Sequence, residues 1–120
     1  MINRLHRFHG YGGLRGIYQR GQTIRGSQLS LKYAFRDPSR PYRLAVVVSR
    51  KVSKSAVVRN RIRRRIYELA RQQATTIPAG SDLVFTAFSA ELATIDDKQL
   101  RATISHLLKK VAQERPKLTS

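Results

Sequence analysis

The segment RNRIRRR, residues 59–65, places five arginines and one asparagine around a single apolar residue, Ile62. The planar guanidinium group of arginine suits bidentate contacts with phosphate. Five such groups within two helical turns repel one another by roughly a few tenths of a kcal/mol for each close pair. We therefore expect a partner outside the chain, carrying many negative charges, to offset this repulsion.

The charge of the whole chain supports a polyanionic partner. The 120 residues include 24 Lys and Arg but only seven Asp and Glu, which gives a net charge of +17 and a pI near 11.5. Seventeen of the 24 basic residues are arginines. Residues 1–71 hold 18 basic and two acidic side chains, whereas residues 72–120 hold six and five. The first part of the chain therefore carries the electrostatic field that would attract nucleic acid.

The arginines fall on a predicted helix from Ser55 to Gln73, whose apolar residues recur with the helical period. The apolar stripe comprises Val58, Ile62, Ile66, Leu69 and Ala70. The opposite arc comprises Arg61, Arg64, Arg65 and Arg71, with Asn60 and Tyr67 beside it. Arg63 is expected at the edge of the stripe and Arg59 within its margin, where a long stem can cover apolar surface. The preceding loop extends this basic edge with Arg50, Lys51 and Lys54.

The remaining pattern predicts an α+β fold, a small two-layer domain with an open sheet of about four strands and three helices. Strands are predicted at 27–35, 43–49 and 82–88, with helices at 14–19, at 55–73 and from about Thr94 onward. The expected order is α-β-β-β-α-β-α within one domain, 1–120, and residues 1–8 and 114–120 are expected to be loose ends. On strand 27–35, Ser30 and Lys32 alternate with Leu29 and Leu31 and so face away from the core.

No set of residues predicts catalysis by the polypeptide or a metal site. A two-metal nuclease needs clustered carboxylates, and the seven acids do not pair on the strands or beside the basic face. Asp96 and Asp97 suit the start of the last helix instead. His6 and His9 lack further ligands, and the chain has no cysteine. With no apolar run near the ~20 residues of a membrane span and no signal-like start, we expect a cytoplasmic protein.

Three interpretations of the basic helix compete. A solvated helix face usually mixes both signs of charge, but here only Glu68 opposes the arginines. A DNA-recognition helix usually belongs to a helix-turn-helix or a dimer, whereas this helix follows a strand. A basic helix beside an open sheet with polar and aromatic residues better fits structured RNA together with a single strand.

The block RLAVVVSRKVSKSAVVRNRIRRRIYE, residues 43–68, resembles the protein subunit of bacterial ribonuclease P. That family has an Arg-led apolar strand, then Ser-Lys-Lys, then Ala-Val-x-Arg-Asn-Arg-x-Lys-Arg. Looser similarity extends to Asn3-Arg4-Leu5, to Tyr18-Gln19-Arg20-Gly21 and to Asp82–Phe88. Where the family has a further basic residue this chain has Tyr67, and Arg65 is the candidate substitute.

The resemblance implies a left-handed strand-helix-strand crossover over about 43–88, against the usual right-handed rule. It also implies that a large RNA, with Mg²⁺ held mainly by that RNA, removes the 5′ leader of precursor tRNA. The leader would lie in a cleft between the first helix and the sheet, which we assign to Tyr18, Ser30 and Lys32. The predicted contacts to the catalytic RNA are Arg50, Lys51, Lys54, Arg59, Asn60, Arg61, Arg63, Arg64 and Arg65. No protein partner and no membrane is required. The alternative is a ribosomal or ribosome-assembly protein without a nuclease role.

Overall fold

Four strands form one sheet in the order β1-β2-β4-β3 in the computed structural model, which describes Ile17 and residues 21–114. The strands are β1 Gln22–Ile24, β2 Leu29–Phe35, β3 Arg43–Val48 and β4 Ser81–Ala87. The helices are α1 Ala56–Arg71 and α2 Asp97–Gln113, and short 3₁₀ turns occupy Ala74–Thr76 and Ala90–Ala93. The α+β class and the four-stranded open sheet are confirmed.

Two predicted regions fall largely outside this description. The first helix, expected at 14–19, is outside the described residues except for Ile17. The expected loose ends, 1–8 and 114–120, are also outside them except for Glu114, which is the C-cap of α2. The predicted order of the remaining elements, β-β-β-α-β-α, is the order that the structure has.

Strand β4 is central and pairs with two strands that precede it in sequence. It runs antiparallel to β2, with Phe85 opposite Leu31, and parallel to β3, with Phe85 opposite Val46. Helix α1 connects the two parallel strands, as the predicted strand-helix-strand unit requires. The left hand of this crossover stays a prediction.

The main core lies between the two helices and one face of the sheet. Alternate residues of each strand point into it, for example Leu31, Val46 and Phe85. The predicted apolar stripe of α1 is confirmed, because Ile62, Ile66, Leu69 and Ala70 are buried and Val58 packs against them at half burial. Helix α2 buries an apolar stripe of its own, which comprises Leu100, Ile104, Leu107, Leu108 and Val111.

Helix boundaries follow from local capping. The Ser55 hydroxyl accepts a hydrogen bond of 3.3 Å from the N–H of Val58, which fixes the start of α1. The last helix begins at Asp97 rather than near Thr94, so that prediction was wrong by about one turn. Thr94 instead ends the preceding 3₁₀ turn, where its N–H donates to the carbonyl of Glu91.

The turn into β4 depends on Gly80. Its φ of +78° lies in the left-handed region, where a side chain is strained. A Cβ at this position would lie 2.3 Å from the carbonyl oxygen of Asp37. The carbonyl of Gly80 also accepts a 2.8 Å bond from the N–H of Arg36, so this close approach joins β4 to the end of β2.

Candidate nucleic-acid interface

The exposed arginines of α1 form the centre of the candidate interface. Arg61 and Arg64 are both exposed, and neither makes a hydrogen bond or an ion pair with the described part of the chain. The preceding loop adds Arg50, Lys51 and Lys54, which are exposed too. The structure therefore leaves these five cations exposed to an external anion, and their predicted contact with RNA stays a prediction.

Two further arginines of α1 are oriented by neighbouring groups. The half-buried Arg59 donates from Nη1 to the carbonyl oxygen of Ser53, 2.9 Å away, which ties the helix to the basic loop. Arg63 donates to the Oδ1 atom of Asn60, one helical turn earlier. Both guanidinium groups keep donors for a second partner, since each has five N–H bonds. Arg59 therefore combines a structural contact with a position at the interface.

Arg65 differs from the other predicted contacts because its guanidinium group is used within the fold. It donates to the carbonyl oxygens of Leu92 and Ile95 and to the carboxylate of Asp97, at 2.7 Å for both Leu92 and Asp97. Its side chain is only 17% exposed. Its predicted place on the solvent arc was wrong, because these acceptors draw the side chain toward the start of α2.

Tyr67 also departs from the predicted solvent arc. Its side chain packs partly against the main core, and its hydroxyl accepts a 3.2 Å hydrogen bond from the N–H of Val46. Val46 belongs to β3, which is an edge strand of the sheet. The tyrosine therefore covers a strand edge that could otherwise pair with another chain.

Glu68 is the acid on α1 itself, and it is paired with Arg71 along the helix. The Nε atom of Arg71 donates to its Oε2 atom at 3.1 Å. This hydrogen bonding is the main reason that the pKa of Glu68 falls to about 2. At neutral pH the carboxylate is charged and neutralises Arg71 rather than Arg61 or Arg64.

The sheet face opposite the helices carries the predicted leader residues. Ser30 lies opposite Thr86 and Lys32 lies opposite Val84, and Ile17 packs over Val84 and Ala45 from that side. Lys32 is half-buried, whereas Ser30 is only 8% exposed and so offers its hydroxyl less freely than the alternation suggested. Tyr18, the third predicted leader residue, lies outside the described residues.

A buried carboxylate lies at one end of this face and was missed by sequence reasoning. Asp82, 4% exposed, accepts from the Nε of Arg36 at 2.6 Å and from the Nε and Nη2 of Arg43, both at 2.8 Å. These hydrogen bonds raise the pKa of the Arg43 guanidinium. A lone acid at the start of the apolar run DLVFTAF was the available signal, since a buried charge needs a partner.

A groove of about 490 Å³ opens beside this cluster. Ile17 and Ala34 line it together with Arg36 and Asp82. The groove therefore adjoins the face that holds Lys32, and its wall contains the guanidinium group of Arg36 and the carboxylates of Asp82 and Glu114.

No helix within Ile17 and residues 21–114 is long and apolar enough to cross a membrane. The same range contains no group of three or more His, Cys, Asp or Glu residues placed to hold a metal ion.

Comparisons with known proteins agree with the geometry. The sequence profile of the family described as Ribonuclease P matches residues 2–112. The ribonuclease P protein component of Synechococcus sp. strain JA-2-3B'a(2-13) is 34% identical over 113 residues, covering 92% of this chain and 84% of the relative. That of Brevibacillus brevis is 30% identical over 118 residues, covering 96% and 91%.

The fold is shared with a solved structure. The RNase P protein from Thermotoga maritima matches with a TM-score of 0.77 at 26% identity, covering 87% of this chain and 96% of that one. The resemblance drawn from residues 43–68 is thereby confirmed, and the chain belongs to the ribonuclease P protein family.

Proposed function

We propose that this chain is the protein subunit of a bacterial ribonuclease P, in which it binds the catalytic RNA and assists removal of the 5′ leader from precursor tRNA. The observation that carries the proposal is the exposed set of cations on α1 and its preceding loop, in a chain of this family. Arg61 and Arg64 would contact RNA phosphates directly, since no described residue occupies them. The ribosomal alternative is not favoured, because the family matched is that of ribonuclease P.

In this proposal the RNA is the catalyst, and the pairing of the carboxylates with arginines supports it. Asp82 is surrounded by two arginines, Asp97 accepts from Arg65, and Glu68 accepts from Arg71. A carboxylate already bound to guanidinium is a poor ligand for a catalytic cation, which needs free oxygen donors. Mg²⁺ would accordingly be held mainly by RNA phosphates, and this subunit would contribute positive charge that lowers repulsion between the RNA strands.

The 5′ leader would lie along the sheet face that carries Lys32. An extended RNA leader on this face would contact the Lys32 ammonium group near the centre of the sheet and the groove beside Ile17 at one end. Tyr18 stays a predicted stacking residue. Because Ser30 is nearly buried, we assign it to the floor of the cleft and not to a main contact with the RNA leader. Such a subunit would act in the cytoplasm, where precursor tRNA is made.

Reconstitution tests this function. A bacterial ribonuclease P RNA, with and without the protein, would be assayed for cleavage of precursor tRNA at low Mg²⁺. We expect the protein to raise cleavage and to bind precursor more tightly than mature tRNA. No stimulation at any Mg²⁺ concentration would overturn the assignment. Capture from cells followed by RNA sequencing would give ribosomal RNA as the main species if the alternative held.

The cleft is tested by two lysine variants. Lys32→Ala should weaken binding of precursor with little effect on mature tRNA, and Tyr18→Ala/Lys32→Ala should weaken it further. Lys98 is an exposed lysine on α2, which packs on the other face of the sheet, so Lys98→Ala is the matched control. Equal losses on both RNAs for the Lys32 variants would place the leader elsewhere.

A further inference from the structure

Phe88 is the one phenylalanine or tyrosine among the described residues whose side chain is exposed. It is 56% exposed, whereas Tyr33, Tyr42 and Phe85 are buried. Its ring adds little to the core, so its largest available gain in burial comes from an external partner. A single exposed apolar residue is common on protein surfaces, and its location decides whether it has a role.

The backbone places Phe88 at the end of the open sheet face. Its N–H donates to the carbonyl of Gln28 at 2.8 Å, which continues the ladder between β2 and β4 by one residue. Because side chains alternate along a strand, Phe88 follows Val84 and Thr86 on the face that also carries Lys32. The ring therefore extends the same surface that we assign to the leader.

The parallel register places the basic loop beside this ring. Val48 of β3 pairs with Ala87 of β4, so the next residues along the two strands are Ser49 and Phe88. Exposed Arg50 and Lys51 follow immediately. An exposed aromatic ring thus stands between the open face and the first cations of the loop.

We propose that Phe88 is a stacking platform for one unpaired base of the precursor leader, whose adjoining phosphates contact Arg50 and Lys51. The proposal rests on the proposed function and deepens it by naming a further contact at the same site. Aromatic rings beside cations are the usual means of binding single-stranded nucleic acid. The carboxylate of Glu91 accepts a 2.9 Å hydrogen bond from the side-chain amide of Gln28 and so lies on the β2 side of the ring. Because this negative charge repels phosphate, the RNA leader would run from Phe88 toward β3 and the basic loop.

The test compares Phe88→Leu with Phe88→Tyr in the reconstituted holoenzyme. Leucine keeps an apolar side chain but removes the ring, whereas tyrosine keeps the ring. We expect Phe88→Leu to weaken binding of precursor by roughly 5- to 150-fold, the range typical of one stacked base, and Phe88→Tyr to bind like the wild type. Mature tRNA should bind all three proteins alike.

Leader length and a fluorescent base locate the contact. Precursors with progressively shorter leaders should lose the difference between wild type and Phe88→Leu at one defined length. A 2-aminopurine at that nucleotide should be quenched in the wild-type complex and brighter with Phe88→Leu. Thermal unfolding of each variant checks that the fold persists, since an exposed ring should contribute little to it.

Each outcome has a separate meaning. If the wild type prefers precursor over mature tRNA but Phe88→Leu binds each precursor as tightly as the wild type does, the stacking inference is wrong and the proposed function stands. If wild type shows no preference for precursor, the proposed function itself fails. Self-association of the wild type that Phe88→Leu abolishes, measured by sedimentation, would make the ring a protein contact and overturn the stacking role.

Discussion

Arg61, Arg64 and Arg65 lie within five residues of one another, yet the structure predicts opposite consequences for their removal. Arg61 and Arg64 are exposed without a partner among the described residues, whereas Arg65 binds two carbonyls and a carboxylate. We expect Arg61→Ala/Arg64→Ala to lose RNA affinity with an unchanged fold. We expect Arg65→Ala to lose stability with little change in the salt dependence of binding.

The size of the first effect follows from counterion release. Each phosphate that a side chain neutralises contributes about 0.7–0.9 to the slope of log K against log salt. Two contacts therefore contribute about 1.4–1.8. Between 50 and 200 mM salt, the wild type should lose about tenfold more affinity than the double variant, since the salt concentration rises about fourfold.

The size of the second effect follows from the hydrogen bonds of Arg65. Its side chain is 17% exposed, and its loss would leave the carbonyls of Leu92 and Ile95 without this donor. Charge-assisted hydrogen bonds in such settings contribute about 1.5–3 kcal/mol, although Asp97 is 77% exposed and its share is small. We expect a loss of about 1–3 kcal/mol in the free energy of unfolding.

Binding of labelled ribonuclease P RNA at four salt concentrations measures the slopes, and urea unfolding measures stability. Arg101 is an exposed arginine on α2 that donates to Gln72 at 2.9 Å. Arg101→Ala is therefore the control for losing one positive charge and one exposed hydrogen bond outside the basic helix. A double variant with the wild-type slope would refute the reasoning. An Arg65→Ala protein of full stability and reduced slope would show that this arginine turns outward to the RNA.

Three other changes test the scaffold. Gly80→Ala should lower the free energy of unfolding by about 2 kcal/mol or more, because of its positive φ and the carbonyl of Asp37, and unfolding with a loss below about 0.5 kcal/mol would contradict this. Asp82→Asn should cost about 2–4 kcal/mol in urea unfolding, because two guanidinium groups would then face a neutral amide, and an unchanged midpoint would be inconsistent with their mutual pairing. The pKa of Glu68 is lowered from its ordinary value of 4.5 to about 2 in the folded chain, so its pairing stabilises the fold fully above pH 4.5 and is lost as pH falls toward 2. The small difference in melting temperature between wild type and Glu68→Gln should therefore be present at pH 6 and vanish near pH 2, and a difference that grows on acidification would reverse the sign.

The helices and their apolar faces were predictable because a helical period is local. Ile62, Ile66 and Leu69 recur within two turns, and the residues of α2 repeat the pattern. The strands β2, β3 and β4 were found within two residues at each end for a similar reason. The predicted order counted three strands before the basic helix but gave positions for only two. The three residues of β1, Gln22–Ile24, are too short to show an alternation.

The departures at the site come from partners distant in sequence. Arg65 is 27 residues from Leu92 and 30 from Ile95, and the acceptors there are backbone carbonyls, which no residue type reveals. Tyr67 was placed beside the solvent arc by its angle on the helix, but its hydroxyl accepts a hydrogen bond from a backbone N–H of β3. The angle of a residue around the helix predicts the direction in which its Cα–Cβ bond points. A long polar side chain can still turn from that direction to reach a backbone group that lacks a hydrogen-bond partner.

The central position of β4 has a consequence for the order in which the protein is made. Strands β2 and β3 are synthesised before β4 and do not pair with each other. Each of them can form its hydrogen bonds with β4 only after residues 81–87 have been made. By the end of α1 the ribosome has already produced 18 of the 24 basic residues. A chain stopped before β4 therefore holds most of the charge of the RNA-binding surface without the sheet that orients it. Until the last third of the chain is synthesised, the nascent chain is a basic polymer close to ribosomal RNA. The basic side chains take up their folded arrangement only after β4 has been made and the sheet can form.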